Sequence, residues 1–192
     1  MSLVRIWLLT GEPAVGKSTA LSRILLDIRT AGFAPGGVVA REIRSHGERE
    51  GFQIIDISSD ESEILADVKG VTGPRVGKYH VSLKALSGLG VSALLRAKQR
   101  SDLVVVDEVG PMELLSPEFR RAIQSSVLEP SEKPAICVVH KRFQDPLIEE
   151  LRASHDAIEQ EITFENRNEL PQELSKDIIR HLRTKIPSGG KN

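Results

Sequence analysis

The segment GEPAVGKST at residues 11–19 matches the pattern G-x-x-x-x-G-K-[ST], and it limits the possible folds more than any other part of the chain. An apolar run precedes it, and apolar residues at helical spacing follow it to about Thr30. In this strand-loop-helix context, the backbone N–H groups of the loop and the positive end of the helix dipole bind phosphate oxygens. The pattern therefore predicts a nucleotide-phosphate loop in which Lys17 contacts the β- and γ-phosphates and Ser18 binds Mg²⁺. The predicted phosphate-binding residues are Gly11, Glu12, Pro13, Ala14, Val15, Gly16, Lys17, Ser18 and Thr19.

The composition is that of one globular domain. Of the 192 residues, 40% are apolar and 28% are charged, and the net charge of −1 provides no field that would attract nucleic acid. We expect a single domain at residues 1–186 and a disordered tail at residues 187–192. The first strand begins close to Met1, no apolar stretch is long enough to span a membrane, and the single cysteine, Cys137, cannot form an internal disulfide. Together these features favour a cytoplasmic protein.

Strands alternate with helices along most of the chain. Continuous apolar runs at residues 103–106 and 134–140 are typical of parallel strands buried on both faces. Residues 37–44 and 51–57 form two extended segments joined by a polar tip, whereas residues 60–67 have the composition of an acidic turn. These elements predict a three-layer α/β fold with a mostly parallel central sheet and a β-hairpin insertion. In such a sheet, ligands bind at the carboxyl ends of the strands.

Two adjacent acids, Asp107 and Glu108, follow the apolar run at residues 103–106. The first occupies the Walker B position, where a carboxylate holds Mg²⁺ directly or through water. The second can orient and deprotonate a water for in-line attack on the γ-phosphate, whereas a kinase usually places its base beside the acceptor. The pair therefore favours hydrolysis, with Lys17 and Glu108 as catalytic residues and Ser18 and Asp107 as Mg²⁺ ligands.

His140 ends the next buried strand and is followed by Lys141 and Arg142. If this strand lies between the loop strand and the Asp107 strand, His140 is a candidate sensor of the γ-phosphate. Lys141 or Arg142 is then a candidate for stabilising charge in the transition state, although a charged cluster after a strand is also ordinary solvated surface.

Two other segments contribute candidates. The hairpin carries Arg44 as a further candidate charge stabiliser, although its alternating charges also fit an exposed hairpin. Asn166 and Arg167 precede the last helix, at an edge of the sheet where they are candidate base contacts. Residues of these types are also common in turns.

Five segments, at residues 11–19, 36–57, 76–81, 104–114 and 163–171, resemble the small nucleoside triphosphatases first described from thermophiles. That family includes the vertebrate cancer-related nucleoside triphosphatase. The segment R-x-x-G-x-R-x-G-F that ends at Phe52, the segment D-E-h-G-x-M-E-L and the E-N-R-N turn are more specific than the phosphate loop. The resemblance implies a P-loop NTPase fold of RecA-like or AAA-like type and Mg²⁺-dependent hydrolysis of ATP, GTP and other nucleoside triphosphates. It also implies low base selectivity, slow turnover and a second nucleotide-binding segment, which comprises Val105, Val106, Asp107, Glu108, Val109, Gly110, Pro111 and Met112.

The chain departs from the family pattern at three positions. Ala14 replaces a common glycine, which makes a positive φ at that position less favourable. Ser18 replaces a common threonine but keeps the hydroxyl group that Mg²⁺ requires. Pro111 replaces a common lysine, so a charged contact at that position is in doubt.

Two alternative functions remain open at this point. A P-loop chain of this size with several arginines could be a nucleotide or small-molecule kinase, although no long arginine-rich lid segment follows the Asp107 strand. It could also be a nucleotide-gated module that binds a partner through the hairpin. We expect a monomer or a weak homo-oligomer.

Overall fold

The structure is a computed structural model that describes residues 4–129 and 133–185. The predicted tail at residues 187–192 and the predicted domain end at residue 186 lie outside these ranges. Within them, the strands are β1 Ile6–Gly11, β2 Pro35–Ser45, β3 Glu48–Asp56, β4 Ser62–Asp67, β5 Arg75–Val76, β6 Tyr79–Val81, β7 Leu103–Val109, β8 Ala135–Val139 and β9 Ala157–Ile162. The helices are α1 Lys17–Thr30, α2 Leu83–Ala85, α3 Val91–Arg100, α4 Pro117–Ile123, α5 Pro146–Ala153 and α6 Leu170–Thr184.

All of these strands join one sheet in the order β5-β6-β4-β3-β2-β7-β8-β1-β9. The five strands from β2 to β9 in that order are parallel to one another. The remaining strands extend the sheet in antiparallel fashion from β2. The α/β fold with a hairpin insertion is therefore confirmed, but the insertion grows into a four-strand antiparallel extension that makes the sheet mixed.

The antiparallel extension differs from the sequence expectation at two places. The turn of the hairpin consists of only two residues, His46 and Gly47, and the rest of the polar tip belongs to β2 and β3. The φ angles of 49° and 85° at these two residues suit a two-residue turn between twisted strands. The segment at residues 60–67, expected to be an acidic turn, contains β4. Pairing with β3 satisfies its backbone and buries Leu65 and Ala66, so long-range pairing outweighs the polar composition of this segment.

Helices cover both faces of the sheet. On one face, α1 and α6 bury aliphatic side chains against β1, β7 and β8. On the other face, α2, α3, α4 and α5 pack on the sheet around the fully buried Phe119. A π-helical turn at Leu86–Gly90 joins α2 to α3, and the hydroxyl groups of Ser82 and Ser116 cap α2 and α4. None of the helices in the described ranges combines the length and apolar character that crossing a membrane requires.

This topology brings the predicted functional segments to one edge of the sheet. Strand β8 lies between β1 and β7, as the interpretation of His140 requires. The phosphate loop follows β1, the Asp107-Glu108 pair ends β7, and Thr163 follows β9. Because these strands are parallel, their carboxyl ends meet at the same edge.

Candidate active site

The phosphate loop leads directly into the first turn of α1. Gly16 precedes the helix with a φ of 111°, a left-handed conformation that glycine adopts without steric cost. Ala14 keeps a left-handed conformation as well, with a φ of 62°. No side chain caps α1, and its first turn contains no acidic residue, so the N–H groups there are available to an anion.

The side chain of Lys17 lies over the loop that precedes it. Its Nζ atom donates hydrogen bonds to the carbonyl oxygens of Gly11 and Glu12, at 3.0 Å and 3.3 Å. These contacts hold the ammonium group above the anion-binding N–H groups, where a β- or γ-phosphate would meet it.

The two acids at the end of β7 share the cavity because the strand is irregular there. Asp107 pairs with Val138 and Val109 pairs with Val139, so Glu108 is an extra residue in the β7 register. Consecutive residues of a regular strand point to opposite faces, whereas here both acids line the cavity. Asp107 is buried, and Glu108 is partly buried.

Glu113 adds a third carboxylate that the sequence analysis did not select. It is only 7% exposed and lines the same cavity, because the chain folds back through a 3₁₀ turn at Glu113–Leu115. A Cβ atom added to Gly110 would lie 2.9 Å from Oε1 of Glu108 and 3.3 Å from Oε2 of Glu113. The glycine thus leaves the space in which the two carboxylates approach each other.

Burial makes this acidic cluster hard to ionise. It raises the pKa of Asp107 to about 7, with a smaller contribution from Glu108 and an opposing one from Lys17. Burial also raises the pKa of Glu108, against the positive charge of Lys17. For Glu113, burial and then the charge of Glu108 raise the pKa to about 8. Acids with such raised pKa values in a cavity are typical of functional sites.

The cavity that joins these groups has a volume of about 870 Å³. It runs from the phosphate loop past Asp107 and Glu108 to the wall formed by β2 and β3, and it also borders α1. A volume of this size lies within the range of small-molecule and cofactor sites.

The residues present fit a Mg²⁺ ion that arrives with phosphates. Ser18 and Asp107 line the cavity, and the Asp107 carboxylate accepts no hydrogen bond from the described residues. Within the described ranges no group of three or more His, Cys, Asp or Glu residues is arranged to hold a metal ion by itself. Because Mg²⁺ usually takes one or two protein ligands and completes its shell with phosphate and water, this donor set suits it.

His140 lines the cavity beyond the end of β8. Its Nδ1 atom accepts a hydrogen bond from the backbone N–H of Phe143 at 2.9 Å. In the neutral ring this bond assigns the proton to Nε2, which leaves a donor for the cavity. His140 thus lies in the cavity, and its role as a sensor of the γ-phosphate stays a prediction.

Lys141 and Arg142 are both paired with Glu12 of the phosphate loop. Lys141 bridges Glu12 and Glu161 at 2.9 Å and 2.6 Å, and Arg142 contacts Glu12 at 2.8 Å. These hydrogen bonds lower the pKa of Glu12, and the bond from Lys141 has the largest effect. The two cations therefore balance a negative side chain that would otherwise face bound phosphates.

The hairpin presents different arginines to the cavity from the one predicted. Arg41 and Arg49 line it, whereas Arg44 does not, and Arg44 instead forms an ion pair with Glu42 at 2.7 Å. Arg44 and Arg49 are register partners on β2 and β3, and both contact Glu42. Charge stabilisation by Arg44 stays a prediction.

Three other predicted residues belong to the core. Val105, Val106 and Val109 are completely buried, so they hold β7 in place and their side chains cannot contact a nucleotide. The part of that segment that faces the cavity consists of Asp107, Glu108, Pro111 and Met112. Val15 is likewise buried, while the other eight residues of the loop line the cavity.

Asn166 and Arg167 lie outside the lining of this cavity, in the turn between β9 and α6. The Asn166 side chain fixes the turn, since its Oδ1 atom accepts from the N–H of Thr163 and its Nδ2 atom donates to the carbonyl oxygen of Glu161, both at 2.8 Å. A base contact by Arg167 stays a prediction.

The three-layer sheet, the phosphate loop and the acids at the neighbouring strand end define a P-loop nucleotide-binding protein. A profile of a family described as NTPase matches residues 6–175, and the chain belongs to this family. The family suggested by the sequence is thereby confirmed.

Curated relatives and solved structures agree. The nucleoside-triphosphatase THEP1 of Methanosarcina acetivorans is 41% identical over 174 residues, which cover 90% of this chain and 96% of the relative. The THEP1 protein of Thermotoga maritima is 39% identical over 167 residues, 87% of this chain and 91% of that protein. The crystal structure of THEP1 from Aquifex aeolicus matches with a TM-score of 0.76 and 26% identity, covering 88% of this chain and 96% of that one. The solution structure of a human cancer-related nucleoside triphosphatase matches with a TM-score of 0.74 and 28% identity, covering 90% of this chain and 96% of that one.

Proposed function

We propose that this chain is an enzyme that hydrolyses nucleoside 5′-triphosphates to the diphosphate and phosphate, with Mg²⁺, low base selectivity and slow turnover. The observation that carries the proposal is one cavity lined by both Lys17 and Glu108. The names of the relatives, nucleoside-triphosphatase THEP1, support it.

In the proposed reaction, the loop N–H groups and Lys17 bind the β- and γ-phosphates. Glu108 orients a water and accepts its proton while the water oxygen attacks the γ-phosphorus and the bond to the β–γ bridging oxygen breaks. The raised pKa of Glu108 makes its carboxylate a stronger base than an exposed glutamate. When bound, Mg²⁺ would be held by Ser18 and Asp107 and would neutralise charge on the phosphoryl oxygens.

In this reaction the N–H group at Nε2 of His140 would donate to an oxygen of the γ-phosphate. The hydrogen bond from the Phe143 N–H to Nδ1 helps to hold the ring in this orientation. Lys141 and Arg142 keep Glu12 neutralised while the triphosphate is bound. The stabilisation of transition-state charge by Arg142 stays a prediction.

Release of phosphate from ATP, GTP, CTP and UTP, measured with Mg²⁺ and with EDTA, tests this proposal. We expect Mg²⁺-dependent release from all four substrates. ADP formation that requires an added nucleoside, nucleotide or metabolite acceptor, without release of inorganic phosphate, would instead indicate a kinase. The cytoplasmic location and the monomeric or weakly associated state stay predictions.

A further inference from the structure

The turn between β9 and α6 lies directly beside the phosphate loop. Strand β9 is parallel to β1, and the last residues of both strands, Ile162 and Gly11, are register partners. The contact is close, because a Cβ atom on Gly11 would lie 2.6 Å from the carbonyl oxygen of Ile162. Lys141 also ties the two segments together by bridging Glu12 and Glu161. Residues 163–169 therefore border the loop on the side away from β8.

This turn exposes an aromatic ring. Phe164 is 64% exposed, although large apolar side chains are usually covered. The guanidinium carbon of Arg167 lies 5.1 Å from the centre of the Phe164 ring. The guanidinium group and the ring thus form a cation–π pair, and the exposed aromatic side chain beside it offers apolar area that a ligand could cover.

The direction of a bound triphosphate places the nucleoside near this surface. Its terminal phosphate must face Glu108, which lies at the end of β7, and β7 is separated from β1 by β8. A triphosphate held on the loop after β1 with its γ-phosphate toward β7 carries its nucleoside at the opposite end. That end points toward β9 and the turn that contains Phe164.

We propose that Phe164 and Arg167 form the platform on which the base of the nucleoside triphosphate stacks. The inference rests on the proposed function and adds to it the recognition of the nucleoside. Stacking on a phenyl ring and a guanidinium group uses the π-face that every base has, so it does not distinguish one base from another. Both ends of the Asn166 amide hydrogen-bond to the backbone of the turn, so this side chain holds the turn that carries the two platform residues. The platform gives low base selectivity a structural origin.

Calorimetric titration with a non-hydrolysable ATP analogue and with inorganic tripolyphosphate, both with Mg²⁺, tests the platform. We expect Phe164→Ala to raise the Kd of the ATP analogue about fivefold to tenfold, because one stacking contact is lost. The Kd of tripolyphosphate, which has no base, should stay within about twofold. Phe164→Tyr, which keeps an aromatic ring, should bind the analogue with the affinity of the unaltered protein.

Leu26→Ala is the matched control, because Leu26 is also 64% exposed and lies on α1 outside the cavity lining. An unchanged Kd of the analogue in Phe164→Ala would overturn the platform while leaving the phosphate site intact. Equal weakening of analogue and tripolyphosphate would overturn it too, since Phe164 would then act on the loop. If neither compound binds to the unaltered protein, the proposed function itself fails.

Discussion

Replacing Glu113 by glutamine should stabilise the ligand-free protein at high pH, and it should bring no such gain in stability at low pH. Glu113 is 7% exposed, and burial is the largest cause that raises its pKa from 4.5 to about 8. Because the pKa of Glu113 is raised in the folded state, its contribution to folding stability is fully present below pH 4.5. That contribution is lost as the pH rises through about 8. The Glu113→Gln variant does not undergo this loss.

The size of the effect follows from the same values. Each tenfold change in proton affinity corresponds to about 1.4 kcal/mol, so the rise from 4.5 to about 8 sets an upper bound of roughly 4–5 kcal/mol. Part of the rise comes from the charges of Glu108 and Asp107, which are themselves hard to ionise. We therefore expect the stability difference between variant and unaltered protein to grow by about 2–4 kcal/mol from low to high pH.

Urea unfolding followed by circular dichroism at a series of pH values between about 5 and 9 measures this difference. Any constant cost of burying the amide cancels, because only the change with pH is compared. Glu173→Gln, on the exposed side of α6, controls for the loss of one formal charge. A Glu113→Gln difference that stays constant across the series would refute the argument that burial governs this carboxylate.

Two further predictions concern the loop and the metal. Ala14→Gly should raise the free energy of unfolding by about 0.5–1 kcal/mol, because Ala14 has a φ of 62°. Ala31→Gly, at a φ of −76°, should lower the free energy of unfolding by a similar amount. Urea titration of both variants measures these changes, and an equal loss of stability in the two would contradict the prediction. Asp107→Asn should raise the Mg²⁺ concentration for half-maximal phosphate release on the order of tenfold. Asp102→Asn, at the other end of β7 and hydrogen-bonded to the N–H of Ala34, should leave that concentration unchanged, and a shift of the same size in both variants would argue against Asp107 as a ligand.

The parts of the site that sequence predicts are those with strong local signals. The glycine-lysine loop and the buried β-branched run before Asp107 depend on short-range patterns, and both occur where expected. The position of β8 between β1 and β7 could only be stated as a condition. Parallel pairing joins segments that are far apart in the chain, so the strand order is seen only in the structure, where β8 does lie between β1 and β7.

Other parts required the three-dimensional structure. Strand β4 has a polar composition and exists because β3 offers an edge to pair with. Arg41 and Arg49 rather than Arg44 line the cavity, which the alternating charges of the hairpin do not predict. Glu113 is brought back beside Glu108 by a 3₁₀ turn, and the only signal in the sequence was its place in the segment GPMEL. Such tertiary effects are not encoded in local periodicity.

The central claim is that Glu108 activates the water that attacks the γ-phosphate bound by the loop. Single-turnover hydrolysis of Mg²⁺-ATP by Glu108→Gln, measured together with nucleotide affinity, tests it most directly. We expect the affinity to stay within about threefold. The rate of phosphate release should fall about 10²–10⁴-fold, because glutamine keeps the shape of the side chain but cannot accept the proton. Hydrolysis by Glu108→Gln at the rate of the unaltered protein would contradict the account.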